Sequence, residues 1–92
     1  MRDNRARDVR IDADSIDAME RQVAAIWCDV LGVAEVRASD NFSDLGGDSV
    51  AATMCLTAIF REFGCELSPV ILIDTAMTVE QLTERIAAAV RA

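Results

Sequence analysis

Apolar residues recur every three or four positions along three stretches of the chain, the spacing that places side chains on one face of an α-helix. The first stretch predicts a helix over 15–31, with Asp14 as its N-cap and Gly32 ending it. No segment shows the alternating pattern of a half-buried strand. The residues predicted to be buried on this first helix are Ile16, Met19, Val23, Ile26 and Val30.

The second apolar stretch predicts a helix over 49–63, which Gly64 ends. The connection before it, 33–48, is rich in Gly, Asp, Asn and Ser, and a loop of this length in a small domain is often functional. We expect three apolar residues to anchor that loop to the core: Val36, Phe42 and Leu45. At about 100° per residue the predicted buried face of the second helix is Ala52, Cys55, Leu56, Ile59, Phe60 and Phe63.

Two further helix starts follow Gly64. Ser68-Pro69 combines a good N-cap with proline at the first helical position and leaves room for only about one turn, 70–74. Thr78 and Gln81 form a capping-box pair before the last predicted helix, 79–91. Met77 can then pack on Leu82 as a hydrophobic staple. The buried face of the last helix is predicted to be Val79, Leu82, Ile86 and Val90.

Three main helices and one short one predict an all-α fold, a small four-helix bundle. The chain has 92 residues, enough for one small domain, and 52% are apolar, which is ample for a real core. We assign the domain to 14–92 and expect 1–13 to be a flexible tail. The first ten residues hold four Arg and two Asp, so a basic docking arm is the alternative interpretation of the tail.

Charge and composition exclude several functions. The chain contains no His, which removes imidazole-based catalysis and Cys/His zinc sites, and we expect neither catalytic residues nor a metal site. A net charge of −7 disfavours nucleic-acid binding, and no apolar run is long enough to span a membrane. Reduced cysteines at 28, 55 and 65 fit a cytoplasmic protein, in which they act as small hydrophobes; a redox or nucleophilic thiol is the alternative.

The most informative motif runs from Asp44 to Ser49, with Gly46 and Gly47 directly before the predicted start of a helix. Asp48 can cap that helix, and the Ser49 hydroxyl then lies on its first turn, where unpaired N–H groups favour a phosphate. Three interpretations remain open: ordinary capping, a hydrolase nucleophile, or an attachment point modified by another enzyme. The absence of His and the small size argue strongly against the hydrolase.

The segment 41–49 resembles the signature of peptidyl carrier proteins, the thiolation domains of nonribosomal peptide synthetases. Further similarities lie in Ile26-Trp27, in Phe63-Gly64 and in Thr78-Val79, so the resemblance covers about 14–91. The chain departs from the family at Ala76-Met77, where the family usually has proline, and at Val50, where leucine is common.

This resemblance implies an acyl-carrier-protein-like bundle with 4′-phosphopantetheine, derived from coenzyme A, attached covalently to Ser49. Asp48, Gly47 and Gly46 would complete the attachment site. The arm would hold an aminoacyl, aryl or peptidyl group as a thioester. The implied partners are a phosphopantetheinyl transferase, an adenylation enzyme, and condensation or tailoring enzymes. The carrier itself would be non-catalytic.

The second predicted helix also suggests a partner surface. Val50 and Met54 lie four residues apart on the side opposite the buried stripe, and no charge occurs from Ser49 to Ile59. We expect Val50, Met54, Leu45 and Phe42 to contact partners; the alternative is that some of them pack beneath the long loop.

Two other functions stay open at this point. One is an acyl carrier protein of a polyketide or fatty-acid synthase, although such carriers have a strongly acidic second helix. The other is an unmodified helical interaction domain in which Ser49 is only part of a helix start. We favour a free-standing, monomeric peptidyl carrier over both.

Overall fold

The computed structural model describes residues 13–74 and 77–91 and confirms the predicted all-α bundle. Its helices are α1 (Ala13–Leu31), α2 (Ser49–Phe63), α3 (Val70–Asp74) and α4 (Val79–Arg91). α1 packs against both α2 and α4, and the short α3 packs against α2. Within the described ranges no helix is both long and apolar enough to cross a membrane.

The start of α1 differs from the prediction. The helix begins at Ala13, so Asp14 lies inside the first turn and is not the N-cap. The sequence offers Asp12, Asp14 and Ser15 within four positions, each a good capping residue, so the pattern alone could not choose among them. Ala13 therefore belongs to the bundle, and the rest of the predicted tail lies outside the described residues.

The other helix ends agree with the sequence. Gly32 ends α1 with a φ of +68°, and its N–H donates to Cys28 O at 2.9 Å. At the start of α4, Thr78 N–H donates to Gln81 Oε1 and Gln81 N–H donates to Thr78 Oγ1, both at 3.1 Å. This reciprocal pair confirms the capping box. Ser68 Oγ accepts from Val70 N–H at 3.4 Å where α3 begins.

Trp27 and Phe42 lie at the centre of the core, both completely buried. Their rings meet edge to face, with centroids 5.0 Å apart and an interplanar angle of 74°. Met77 and Leu82 are both buried, as a staple requires. The remaining members of the core cluster are Met19, Val23, Ala52, Cys55, Leu56, Ile59, Cys65, Leu72, Val79, Ile86 and Ala87.

Two residues predicted to be buried are instead exposed. Phe60 is 52% exposed, because it lies about 100° around the helix from the fully buried Ile59, at the edge of the buried face of α2. Val90 is 48% exposed, in the last turn of α4. The buried face of α4 is broader than predicted, since Thr83 and Ala87 are also inside. Thr83 satisfies its hydroxyl by donating to Val79 O at 2.8 Å.

The long loop between α1 and α2 is held against α4. Phe42 N–H donates to Met77 O, and Glu80 N–H donates to Ala38 O, each at 3.0 Å. Phe42 is buried, and Val36 and Leu45 are half-buried against the core, so all three predicted anchors are confirmed. This anchoring fixes the segment that leads into α2.

Candidate attachment site at the start of α2

Ser49 is the first residue of α2 and is exposed. Its hydroxyl makes no hydrogen bond to any residue of the described chain, and its carbonyl accepts from Thr53 Oγ1 at 3.1 Å. An unpartnered hydroxyl on an exposed first turn is accessible to the active site of another protein. The prediction that Ser49 lies outside the packed face is confirmed.

Asp48 caps α2, as predicted. Its backbone is extended, its carboxylate accepts from Ala51 N–H at 2.9 Å, and its carbonyl accepts from Ala52 N–H at 2.8 Å. The N–H groups of Ser49 and Val50 then have no partner within the described residues. Asp48 already places one carboxylate at this end of α2. The two remaining N–H groups and the helix dipole favour an anion beside Ser49.

The two glycines before Asp48 serve different structural purposes. Gly46 has a φ of +92°, a conformation that L side chains rarely adopt. A Cβ on Gly47 would overlap the ring of Phe42 and lie 2.8 Å from the Phe42 carbonyl oxygen, while Gly47 N–H donates to that oxygen at 3.0 Å. The Phe42 ring therefore packs directly on the backbone that positions Ser49, a contact that sequence spacing did not reveal.

The predicted partner-binding residues divide into two groups. Val50 is 67% and Met54 54% exposed, so neither packs beneath the loop. Leu45 is half-buried and keeps part of its side chain accessible. Phe42 is completely buried, which corrects the expectation that it contacts a partner directly. Phe42 instead belongs to the motif because its ring packs between Trp27 and the backbone of Gly47.

A cavity of about 230 Å³ opens beside Ser49. Thr53 continues its wall along α2, and residues of the α2–α3 connection and of α3 form the opposite side. The lining residues are Ser49, Thr53, Pro69, Val70 and Ile73. Sequence periodicity could not reveal this cavity, because it depends on how the short α3 packs against α2.

The three cysteines differ from Ser49 in that none of them is exposed. All three are free thiols; Cys55 and Cys65 are buried, and Cys28 is half-buried. Burial raises the pKa of the Cys55 thiol from 9.0 to about 12, although the neighbouring Trp27 acts in the opposite direction. A thiol of such high pKa stays protonated and unreactive at neutral pH, which favours the interpretation of Cys55 as a core residue.

Comparison with known proteins agrees with this geometry. The family model described as "Phosphopantetheine attachment site" matches residues 21–86. Tyrocidine synthase 3 of Brevibacillus parabrevis is 39% identical over 68 residues, which are 74% of this chain and 1% of that protein. The chain thus spans only a small part of this curated relative.

Solved structures of similar proteins share the fold. BlmI, a type-II acyl-carrier-protein from Streptomyces verticillus involved in bleomycin biosynthesis, aligns with a TM-score of 0.74 and 33% identity, covering 82% of this chain and 89% of BlmI. A peptidyl carrier protein in complex with the phosphopantetheine transferase Sfp and coenzyme A aligns with a TM-score of 0.71 and 31% identity, covering 76% and 90% of the respective chains.

The four-helix fold and the exposed serine at a helix start define a carrier protein, a class that is non-catalytic. More specifically, the chain belongs to the phosphopantetheine attachment-site family. The prosthetic group of this family is phosphopantetheine, and the unpartnered hydroxyl and free N–H groups at the start of α2 fit its phosphate.

Proposed function

We propose that this chain is a peptidyl carrier protein whose Ser49 bears 4′-phosphopantetheine and presents an aminoacyl, aryl or peptidyl thioester to partner enzymes. The observation that carries the proposal is the exposed, unpartnered Ser49 hydroxyl at the anion-favouring start of α2. The family match and the likeness to a peptidyl carrier bound to its transferase support it.

Each motif residue has a definite task in this proposal. Ser49 supplies the oxygen that becomes the phosphodiester link, and its N–H and that of Val50 face the resulting negative charge. Asp48 holds the first turn by capping it, and Gly46 and Gly47 allow the loop to reach α2. When bound, phosphopantetheine supplies a terminal thiol that forms thioesters. The modifying and loading enzymes supply all catalytic groups.

We also propose that the exposed side of α2 is the partner surface. Its exposed residues from Ser49 to Thr57 are uncharged, and Val50 and Met54 form an apolar pair beside Ser49. Such a surface suits apolar docking by a transferase, an adenylation enzyme, and condensation or tailoring enzymes. A fatty-acyl carrier with an acidic second helix would instead attract basic partners.

The partner surface is tested by Val50→Asp and Met54→Asp. We expect each change to lower kcat/KM for phosphopantetheinylation by at least about fivefold, the effect typical of a central interface residue, with unchanged thermal stability. Val90→Asp is the matched control, since Val90 is a similarly exposed apolar residue on α4. Equal rates for all three variants would remove the partner surface from the proposal.

The class of carrier is tested by loading. The modified chain is incubated in parallel with an adenylating enzyme, ATP and amino acid, and with an acyltransferase and malonyl-coenzyme A. The proposal predicts a hydroxylamine-sensitive mass gain with the adenylating enzyme. A gain only with the acyltransferase would show a polyketide or fatty-acid carrier, and a folded chain that never accepts phosphopantetheine would be an interaction domain.

A further inference from the structure

Among the methionines of the described residues, Met54 lies on the surface and the other two lie in the core. Met54 is 54% exposed, whereas Met19 is 8% and Met77 4% exposed. A peroxide must approach the sulfur of a thioether to oxidise it, so burial protects the two core methionines. Oxidation of the described methionines is therefore directed to Met54, one helical turn from Ser49.

Two of the three thiols are also protected from oxidation. Cys55 and Cys65 are buried, and burial raises the pKa of both thiols. They stay protonated at neutral pH and react slowly with peroxides, because the thiolate is the nucleophile. Cys28 is half-buried on α1, a different helix from the one that carries Met54, and is the remaining competitor for an oxidant.

The described residues one helical turn from Met54 offer no free hydrogen-bond donor to an oxidised sulfur. The Thr57 hydroxyl donates to Thr53 O at 2.9 Å, and backbone N–H groups in mid-helix donate to carbonyls of the preceding turn. Arg61, the nearest basic residue along this helix, is seven residues or about 10 Å further on. A sulfoxide oxygen at this position would therefore be hydrogen-bonded by water. The residues one turn away are Val50, Ala51, Thr57 and Ala58.

We propose that Met54 is a reversible oxidation site that controls docking on the partner surface. Hydrogen peroxide transfers one oxygen atom to the thioether: an S–O bond forms, the O–O bond breaks, and water leaves. The sulfur is oxidised by two electrons, and the product is a polar sulfoxide. A methionine sulfoxide reductase supplied with a dithiol reverses the step, giving back the thioether with water and a disulfide. The inference rests on the proposed function, which places Met54 in the partner surface.

Docking of the oxidised chain would bury the sulfoxide oxygen against an apolar partner. Because α2 has no donor to replace the displaced water, that oxygen loses its hydrogen bonds on docking. We expect kcat/KM for phosphopantetheinylation to fall by at least about fivefold, as for Met54→Asp. The fold should be unaffected, since the side chain lies outside the core. Oxidation at this position thus changes binding and leaves the bundle intact.

The first part of the test locates the added oxygen. The full chain is treated with hydrogen peroxide, the excess is removed with catalase, and the protein is digested with trypsin. Each methionine then lies in a different peptide, because arginines separate them. We expect the peptide 38–61 to gain one oxygen before those that hold Met19 and Met77, and fragmentation to place it on Met54 and not on Cys55. Earlier oxidation of a core methionine or of Cys55 would overturn the inference.

The second part of the test measures phosphopantetheinylation, with each variant expressed as the ratio of its treated to its untreated kcat/KM. For the wild-type chain and for Cys28→Ala we expect a ratio of about 0.2 or less. Methionine sulfoxide reductases of both stereospecificities, with dithiothreitol, should restore the wild-type rate. Met54→Leu, which has no thioether at this position, should keep a ratio near one. The melting temperature should be the same before and after treatment.

The outcomes separate this inference from the proposed function. A wild-type ratio near one with Met54 fully oxidised, an equal fall in Met54→Leu, or loss of the effect in Cys28→Ala would each overturn the inference. A lower melting temperature after treatment would assign the effect to unfolding and would overturn it as well. An untreated wild-type chain that never accepts phosphopantetheine would instead overturn the proposed function itself.

Discussion

The Phe42 ring fills the space beside the Cα of Gly47, and this contact fixes the backbone that enters α2. Phe42 is itself held by its edge-to-face contact with the Trp27 ring and by its N–H bond to Met77 O. The position of Ser49 therefore depends on a chain of contacts that begins in the centre of the core. At the scale of single residues, the site is positioned from inside the bundle.

We predict that Gly47→Ala destabilises the protein by about 1–3 kcal/mol, because the new methyl group must displace the Phe42 ring or its backbone. Chemical denaturation measures this change, and phosphopantetheinylation of the variant should be slowed as well. Gly32→Ala is the comparison: it also costs stability, through its positive φ, but it meets no atom within 4 Å. Gly32→Ala should therefore leave the modification rate unchanged, and equal slowing in both variants would contradict the role of Gly47.

Sequence could predict some of these residues because their roles are local. Asp48 as N-cap and Gly64 as helix stop follow from the neighbouring backbone alone. The need for glycine at position 47 could not be predicted. It arises from the Phe42 ring, whose position depends on how the loop packs against α1 and the start of α4. The sequence predicted Phe42 both as an anchor of the loop, which its burial confirms, and as a partner contact, which its burial corrects.

At the scale of elements, the two faces of α2 have different roles. One face packs into the bundle through the buried residues Ala52, Cys55, Leu56 and Ile59. The other face exposes Val50 and Met54, and Phe60 lies at the edge between the two faces. Periodicity predicted the helix bounds and most of the buried face. It placed Phe60 wrongly, because the angular width of a buried face depends on how closely the next element approaches. The residues near Phe60 belong to the α2–α3 connection, which leaves half of its ring exposed.

The adjacent pair Ile59 and Phe60 tests this division. We expect Ile59→Ala to lower the free energy of unfolding by about 2–5 kcal/mol, since it leaves a cavity in the core. Phe60→Ala should change it by less than about 1 kcal/mol, because the ring is half in solvent. Urea denaturation of both variants is the measurement. A large loss for Phe60→Ala would show that its ring is packed against the bundle and would contradict this division of α2.

At the scale of the whole molecule, the bundle holds the Ser49 hydroxyl in an exposed position at the start of α2. The buried core, the anchored loop and the buried thiols Cys55 and Cys65 contribute to stability, whereas the proposed attachment residue Ser49 lies outside them. The sequence could predict this arrangement because a single apolar stripe per helix is enough to specify a small bundle. It could not predict the cavity beside Ser49, because that cavity depends on how α3 and the α2–α3 connection pack against α2.

The buried Cys55 thiol makes stability depend on alkaline pH. Its pKa rises to about 12 on folding, so the folded state retains a proton that the unfolded state loses near pH 9. The resulting stability is fully present below pH 9 and is lost as pH rises towards 12. The chain has no Tyr and no Lys. Burial also raises the pKa of the Cys65 thiol, so Cys65 adds to the alkaline decline in the same direction as Cys55.

We therefore predict that the free energy of unfolding falls above pH 9, by up to about 1.4 kcal/mol per pH unit for one differing proton. Urea denaturation at a series of pH values measures the slope. Cys55→Ala, although less stable at neutral pH, should show a shallower alkaline decline than the wild-type chain. Identical slopes would mean that Cys55 does not control the decline.

The most direct test of the carrier assignment is the intact mass of the chain after incubation with coenzyme A, Mg²⁺ and a phosphopantetheinyl transferase. Wild-type protein is compared with Ser49→Ala and with Ser43→Ala, a control at an exposed serine in the loop before α2. We predict a gain of one phosphopantetheinyl group for the wild-type chain and Ser43→Ala, and none for a folded Ser49→Ala. Two results would contradict the account. One is modification that persists in Ser49→Ala, and the other is a folded wild-type chain that is unmodified before the incubation and gains no phosphopantetheinyl group during it.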